Sequence, residues 1–270
     1  MNYKVLALDL DGTLVGNDKE IKERDKELVI EAQRQGVVVV LASGRPMFGI
    51  TPIAKAIRMD EFGGYILSFN GGKTIQYPTG EVIQEKVFPL DMLPAIYKVA
   101  KDVNMELISY ENDYILTERP EDIYVYKESF LNRMLMRKVE NLLEYITFNV
   151  PKCLMVGDAK RLALVEQDMK QQFGHRLNIF RSEPYFLEIM PQGIDKGQAL
   201  GKVLKHIGCS REEMIAIGDG FNDLTMVQSA GLGIAMANAQ QVIKDAAQYI
   251  TLTNEENGVA HVVEKFIFGE

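Results

Sequence analysis

The chain has 270 residues, of which 47% are hydrophobic and 25% charged, and its formal net charge is -8. This length allows one large domain or two smaller ones, and the composition is that of a soluble globular protein. The negative charge argues against nucleic-acid and anionic-membrane partners, because basic patches bind those. We find no signal-peptide pattern and no apolar run of about 20 residues, so the sequence predicts a cytoplasmic protein without a membrane partner.

The first predicted strand leads directly into two acidic residues. Apolar residues run from Val5 to Leu8, and Asp9, Asp11 and Gly12 follow. Side chains two positions apart on a strand point the same way, so we expect the two carboxylates to converge on one small volume. Their mutual repulsion would then have to be offset by a cation or a shared proton. The pattern predicts a reaction centre, a metal site, or both.

Strands and helices alternate at both ends of the chain, a pattern typical of parallel βαβ units. Near the N-terminus we predict a helix over residues 20–35 and strands over residues 37–41 and 65–69. Near the C-terminus we predict helices over residues 195–206, 226–230 and 239–247, and strands over residues 214–217, 233–236 and 249–251. The predicted fold class is therefore α/β, with a doubly wound parallel-sheet, Rossmann-like core made of both ends of the chain.

The middle of the chain lacks this simple alternation. Strand candidates there look longer and more exposed, as over residues 106–117, and helices are predicted over residues 92–103, 123–134 and 159–173. We therefore predict an α+β domain over residues 83–190, inserted into a core domain of residues 1–82 and 191–270.

Small or polar residues follow the predicted core strands. Besides Asp9 and Asp11, these residues are Ser43, Gly44, Asn70, Asp219, Asn222 and Asp223, and Lys196 opens a predicted helix nearby. A single aspartate at a strand end is more often a helix cap than a catalyst. In open α/β sheets, however, ligands bind beyond the carboxyl ends of the strands, so we expect these residues to share one crevice.

At these positions the sequence resembles the haloacid dehalogenase superfamily, and more narrowly its Cof-type phosphatases with a type IIB cap inserted after the third core strand. Four motifs carry the resemblance, in the family's order: Asp9-Leu10-Asp11-Gly12-Thr13-Leu14, Ser43-Gly44-Arg45-Pro46, Lys196-Gly197 and Gly218-Asp219-Gly220-Phe221-Asn222-Asp223. The sequence departs from the commonest pattern at Ser43, where threonine is frequent, but the hydroxyl is kept.

The resemblance implies that Asp9 is the nucleophile, which attacks phosphorus and forms an aspartyl-phosphate. Asp11 would be the general acid for the leaving alcohol and then the general base for water. The implied cofactor is Mg²⁺, held by the Asp9 carboxylate, the Asp11 backbone carbonyl and Asp219, with Asp223 binding directly or, as we favour, through a metal-bound water.

The resemblance also implies a phosphate-binding set, because phosphoryl transfer spreads negative charge over the equatorial oxygens. Its implied members are the backbone N–H groups of Leu10 and Gly44, the Ser43 hydroxyl, Lys196 and the Asn222 amide. Two neighbouring residues stay open at this stage. Arg45 either holds substrate or pairs with an acid of the core, and Asn70 either contacts substrate or belongs to a simple hinge turn.

The function expected from this resemblance is a Mg²⁺-dependent phosphatase for small phosphate monoesters such as sugar phosphates or phosphorylated cofactors. An inserted cap would block large substrates and help to exclude water. A phosphomutase of the same superfamily is the enzyme alternative, since an aspartyl-phosphate can also be returned to a sugar. A receiver-like phospho-acceptor module is the non-enzyme alternative, although such modules lack a cap. Dehalogenation is disfavoured because Asp11 is present.

Overall fold

A computed structural model describes residues 3–269 of the chain. These residues form two compact units, of which the second comprises Lys86–Ile194 and the first comprises the chain on either side, up to Glu85 and from Asp195. The sequence-based boundaries after residues 82 and 190 lie three and four residues before these two transitions.

The strands and helices follow in chain order. The strands are β1 (Val5–Leu8), β2 (Val38–Ala42), β3 (Gly64–Ser68), β4 (Lys73–Tyr77), β5 (Val82–Glu85), β6 (Glu106–Glu111), β7 (Tyr114–Thr117), β8 (Leu135–Lys138), β9 (Cys153–Val156), β10 (Leu177–Glu183), β11 (Phe186–Pro191), β12 (Met214–Gly218), β13 (Leu232–Ala235) and β14 (Tyr249–Ile250). The helices are α1 (Glu23–Arg34), α2 (Met47–Ala56), α3 (Met59–Phe62), α4 (Leu93–Asp102), α5 (Ile123–Asn132), α6 (Leu142–Tyr145), α7 (Ala159–Phe173), α8 (Lys196–Ile207), α9 (Leu224–Ser229), α10 (Gln241–Ala246) and α11 (Gly258–Val262), which continues into a π-helical segment, Val263–Phe268. Within residues 3–269, no helix combines the length and the apolar character needed to cross a membrane.

The first unit is built on an eight-stranded sheet with the order β14-β13-β12-β1-β2-β3-β4-β5. From β14 to β3, neighbouring strands are parallel, which confirms the predicted α/β core. The central strands β1 and β12 are fully buried, as expected for parallel strands covered on both faces. The prediction did not include β4 and β5, which extend the same sheet in antiparallel orientation before the chain enters the second unit.

Helix α8 begins at a position fixed by its own sequence. The Asp195 side chain accepts a hydrogen bond from the N–H of Gln198 at 2.7 Å, and Gly208 ends the helix with a φ of 72°. An aspartate N-cap and a left-handed C-terminal glycine are preferred at these two positions. The cap places Lys196 at the first residue of the helix, and apolar residues such as Leu200 and Val203 bury the helix against the sheet.

The second unit contains a six-stranded sheet with the order β10-β11-β9-β6-β7-β8. Its strands are antiparallel except for the parallel pair β7 and β8. One face of the sheet, including Leu107 and Met155, packs against apolar residues of α4 and α7. The unit is thus α+β in composition.

The expectation of one long, exposed strand over residues 106–117 is wrong. This segment is the hairpin of β6 and β7, which turns at Asn112 with a φ of 52°, and β6 is almost completely buried. The polar residues of β6 made the strand look exposed in the sequence, but they are buried with hydrogen-bond partners. Tyr110, for example, donates a hydrogen bond to Glu128 of α5 at 2.7 Å.

Candidate active site

Three neighbouring parallel strands bring the acidic and small motifs to one edge of the first unit's sheet. Strand β1 pairs with β12 on one side and with β2 on the other, so Leu8 lies beside Ile217 and Leu41. The residues that follow these strands include Asp9, Asp219 and Ser43. This edge of an open α/β sheet is where ligands generally bind.

Lys196 is the centre of a buried ion cluster at this edge. Its ammonium lies 2.6 Å from Oδ1 of Asp9 and 2.5 Å from Oδ1 of Asp223. The three residues are 1%, 5% and 0% exposed, in the order Lys196, Asp9, Asp223. Burial opposes the charge on Lys196, but the carboxylates of Asp223 and Asp9 outweigh it and raise the pKa of the lysine. The two carboxylates thus favour the protonated form of Lys196 at neutral pH.

Asp223 also shapes the turn that carries Asp219. Its Oδ2 accepts the backbone N–H groups of Asp219 and Gly220, each at 2.9 Å, while its Oδ1 receives Lys196. Both oxygens of Asp223 are thus engaged by the protein. Asp219 in turn accepts a hydrogen bond from the hydroxyl of Thr13 at 3.1 Å. No sequence pattern pointed to a role for this hydroxyl, although Thr13 lies within the first motif.

The carboxylates of Asp9, Asp219 and Asp223 are close enough to hold a metal ion. One oxygen of each lies within 4.8 Å of the others. Burial raises the pKa of Asp9 well above its usual range, and the charge of Asp223 adds to this effect. The same two causes, in the same order, raise the pKa of Asp219 to about 6. One lysine does not offset three carboxylates, so the cluster favours a further cation. An all-oxygen donor set of this kind suits a hard divalent cation.

Strand alternation, from which we expected Asp9 and Asp11 to converge, does not apply to these two residues. Strand β1 ends at Leu8, and Asp11 lies in a turn in which Gly12 has a φ of 84°. The Asp11 carboxylate, 39% exposed, binds Arg45 and Lys19. Arg45 donates from Nε to Oδ2 at 2.7 Å and from Nη2 to Oδ1 at 2.6 Å, and Lys19 donates at 2.7 Å.

These contacts set the charge of Asp11. Burial would raise its pKa, but the hydrogen bonds and charges of Arg45 and Lys19 outweigh burial and hold the pKa below its usual value. Of the two possibilities left open for Arg45, the structure has the arginine paired with an acid of the core. No sequence pattern pointed to Lys19, which lies in the loop that follows the first motif.

The remaining predicted phosphate-binding residues follow β1, β2 and β12, and Asn70 follows β3. The hydroxyl of Ser43 is buried and accepts the N–H of Arg45 at 3.1 Å. The Asn222 amide donates to Oδ1 of Asn70 at 2.9 Å, and the Asn70 N–H donates to the Ser43 carbonyl at 2.8 Å. Asn70 thereby connects two of the motifs. Leu10 follows Asp9 with its side chain in the core, and a Cβ added at Gly44 would lie 3.4 Å from the Asn70 amide.

Fold and site together define an α/β protein with a buried acidic centre, suited to a divalent cation, at the ends of its parallel strands. Residues 6–263 match the family model of haloacid dehalogenase-like hydrolases. A haloacid dehalogenase-like hydrolase from Bacteroides thetaiotaomicron is 50% identical and superposes with a TM-score of 0.94, covering 97% of this chain and 99% of that one. A Thermotoga maritima structure is 30% identical with a TM-score of 0.88, covering 98% and 97%.

A curated relative has a named substrate. The 5-amino-6-(5-phospho-D-ribitylamino)uracil phosphatase YcsE of Bacillus subtilis is 28% identical over 99% of this chain and 97% of its own length. The chain belongs to the haloacid dehalogenase-like hydrolase family, which confirms the resemblance seen in the four motifs. With phosphatases among its full-length relatives, it is a phosphoric monoester hydrolase.

Proposed function

We propose that this protein is a Mg²⁺-dependent phosphatase that hydrolyses small phosphate monoesters through an aspartyl-phosphate on Asp9. The observation that carries the proposal is the buried cluster in which Asp9 contacts Lys196 while Asp219 and Asp223 lie within metal-binding distance of it. Family membership supports the reaction class, and the cluster supports the assignment of Asp9 as the nucleophile, of Lys196 as the cation beside it and of an acidic metal site next to both.

In the first half-reaction, a carboxylate oxygen of Asp9 attacks phosphorus and the bond between phosphorus and the leaving oxygen breaks. Asp11 gives its proton to that oxygen, so the alcohol leaves neutral. Lys196 lies 2.6 Å from Asp9, where its positive charge stabilises negative charge on the transferring group. Ser43, Asn222 and the N–H groups of Leu10 and Gly44 are proposed to bind the phosphate oxygens.

In the second half-reaction, water attacks phosphorus, Asp11 accepts its proton, and the bond between phosphorus and Asp9 breaks. Inorganic phosphate leaves and Asp9 is regenerated. The pairing of Asp11 with Arg45 and Lys19 favours the carboxylate, which is the form required of the base. The first half-reaction requires the acid form, which these contacts disfavour.

Asp9 and Asp219 would hold Mg²⁺ together with the Asp11 backbone carbonyl. Asp223, whose two oxygens already accept hydrogen bonds from the protein, would bind a metal-bound water. The ion would neutralise the excess negative charge of the cluster and keep Asp9 ionised at neutral pH. When bound, Mg²⁺ also supplies positive charge for the phosphate oxygens.

Small soluble phosphate esters are the proposed substrates, such as sugar phosphates or phosphorylated cofactors. The support is that YcsE, a relative over the whole chain, is named for a phosphorylated ribitylamino compound of this size class. We also propose that the second unit acts as a cap domain and that the protein is cytoplasmic.

The test is phosphate release from a panel of sugar phosphates, nucleotides and phosphorylated cofactors, with Mg²⁺ or with chelator. We expect Mg²⁺-dependent release by the wild type and none by Asp9→Asn. Asp158→Asn is the matched control, because asparagine can replace aspartate as the N-cap of α7. Isomerised sugar phosphate without phosphate release would indicate a mutase. Unchanged activity of Asp9→Asn would exclude Asp9 as the nucleophile.

A further inference from the structure

The loop that follows Asp11 is tied down by residues far away in the sequence. The side-chain amide of Asn238, in the loop after β13, donates to the Gly12 carbonyl at 2.8 Å. The amide of Asn254, in the loop after β14, donates to the Val15 carbonyl at 3.0 Å. Both ends of the segment 12–15 are therefore held by asparagines. We call Asn238 and Asn254 the asparagine clamp.

The two asparagines are also bonded to each other. The backbone N–H of Asn254 donates to Oδ1 of Asn238 at 3.1 Å. Since Oδ1 accepts this bond, the amide nitrogen of Asn238 is the atom that faces the Gly12 carbonyl. Only one orientation of the Asn238 amide can donate to the Gly12 carbonyl and accept from the Asn254 N–H at the same time. Its contact with the loop that follows Asp11 is therefore specific.

The segment between the two clamped carbonyls controls two functional side chains. Asp11 precedes Gly12, and Asp11 forms an isolated β-bridge with Val15. Thr13, between the clamped carbonyls, donates its hydroxyl to Asp219. A movement of this segment would therefore move Asp11 and Thr13 together, relative to Asp9 at the end of β1.

We propose that Asn238 and Asn254 are positioning residues for phosphoryl transfer, which hold the loop so that Asp11 reaches the leaving-group oxygen. This inference rests on the proposed function, because it assigns the clamp to the proton transfer made by Asp11. Neither asparagine touches the reacting atoms. Their effect passes through the Gly12 and Val15 carbonyls, and a displacement of about 1 Å in a catalytic group can cost about 100-fold in rate.

The two asparagines differ in a way that the variants can use. Asn238 is exposed, so water can replace its bond to Gly12 and the fold is expected to survive its loss. Asn254 is buried, and its removal leaves the Val15 carbonyl without its donor. Asn238→Ala is therefore the principal variant, with Asn254→Ala as the second. Asn238→Asp keeps the shape and the bond from Asn254 but places an oxygen against the Gly12 carbonyl.

The decisive measurement is the dependence of kcat/KM on the leaving group. An alkyl phosphate needs a proton from Asp11, whereas p-nitrophenyl phosphate has a good leaving group and needs it much less. We expect kcat/KM for the alkyl ester to fall about 10- to 100-fold in Asn238→Ala and Asn238→Asp, and that for the aryl ester to fall much less. Gln241→Ala, an exposed amide on α10 bonded within its own helix, is the control and should match the wild type.

Equal losses with both esters would mean that the asparagines stabilise the fold without positioning Asp11, and would overturn the proposal. A second measurement tests the asparagine clamp independently of the proposed function. Amide hydrogen exchange of residues 12–17 should become faster in Asn238→Ala and Asn254→Ala than in Gln241→Ala. Unchanged exchange would overturn the clamp even in an active enzyme, whereas a wild type inactive on every ester would overturn the proposed function itself.

Discussion

Arg45 binds the carboxylate of Asp11 through two parallel hydrogen bonds, from Nε at 2.7 Å and from Nη2 at 2.6 Å. The arginine is itself held by a third bond, from Nη1 to the Gly49 carbonyl at 3.2 Å. A two-point contact of this kind fixes the plane of a carboxylate as well as its charge. Arg45 therefore determines where the oxygens of Asp11 point.

Replacement of Arg45 should impair the proton transfers made by Asp11. General acid–base catalysis contributes about 100- to 10,000-fold to rate, so we expect Arg45→Ala to lower kcat for alkyl phosphates by at least about 10-fold. Arg45→Lys should recover only part of this loss, because lysine keeps the charge but not the two-point geometry. Steady-state kinetics test this, with Arg34→Ala on α1 as an exposed arginine control. Full activity of Arg45→Ala would contradict the role.

Gly12 allows the loop that follows Asp11 to lie in close contact with the Asp219 carboxylate. A Cβ at Gly12 would lie 2.3 Å from Oδ2 of Asp219, and its φ is 84°. Gly12→Ala should therefore lower activity by more than about 100-fold, because Asp219 or the loop must move. Gly36→Ala is a matched control, since Gly36 has a φ of 90° and nothing within 4 Å of the added Cβ.

Both glycine variants should lose about 1–3 kcal/mol of stability from the left-handed backbone, but only Gly12→Ala should lose activity. Thermal unfolding and phosphate release distinguish the two effects. Similar activity losses in both variants would show that backbone strain, and not the contact with Asp219, is responsible.

Asn70 lies in an unusual stretch of backbone after β3. Phe69, Asn70 and Gly71 have φ angles of 51°, 57° and 89°, and such strain is often retained where it positions a functional group. Here the left-handed backbone places the Asn70 side-chain amide next to the Asn222 side-chain amide. We expect Asn70→Gly, which keeps the backbone and removes the amide, to lower kcat/KM about 10-fold. Asn112→Gly, with a φ of 52° in the β6–β7 turn, is the control and should be fully active.

The local parts of the site could be predicted from the sequence. Apolar runs defined β1 and β2, and the residues after them lie at the predicted edge of the sheet. Lys196 could be placed at the start of a helix because Asp195 and Gly208 mark its ends. These features depend on residues adjacent in the chain, where alternation, caps and turns act directly.

The features that were missed depend on contacts between distant residues. Thr13 meets Asp219 across 206 positions, and Asn238 meets Gly12 across 226. The direction of Asp11 depends on a left-handed Gly12 and on Arg45, which comes from another strand end. The periodicity of a single sequence does not indicate which distant residues are in contact.

Asp25 is a buried acid away from the active site. It lies in the first turn of α1, and its Oδ1 accepts the backbone N–H of Ala260 in α11 at 2.6 Å. Among residues 3–269, its Oδ2 has no hydrogen-bond partner. Burial raises the pKa of Asp25 to about 6, although its bonds to backbone N–H groups and the charge of Lys22 act in the opposite direction.

This raised pKa predicts the sign of a pH effect on stability. The folded protein binds the Asp25 proton more tightly than the unfolded chain does, so the Asp25 contribution favours folding at low pH and is lost as pH rises through about 4 to 6. A rise in pKa from 3.8 to about 6 corresponds to roughly 3 kcal/mol. Asp25→Asn stays neutral and should not show this loss.

We therefore expect the free energy of unfolding of Asp25→Asn, relative to the wild type, to increase by up to about 3 kcal/mol between about pH 4 and pH 7. Urea unfolding across this range measures the difference directly. Asp60→Asn, at an exposed position on α3, is the control and should follow the wild type at every pH. A constant difference between Asp25→Asn and the wild type would show that Asp25 is charged in the folded protein throughout, and that its burial costs less than the structure implies.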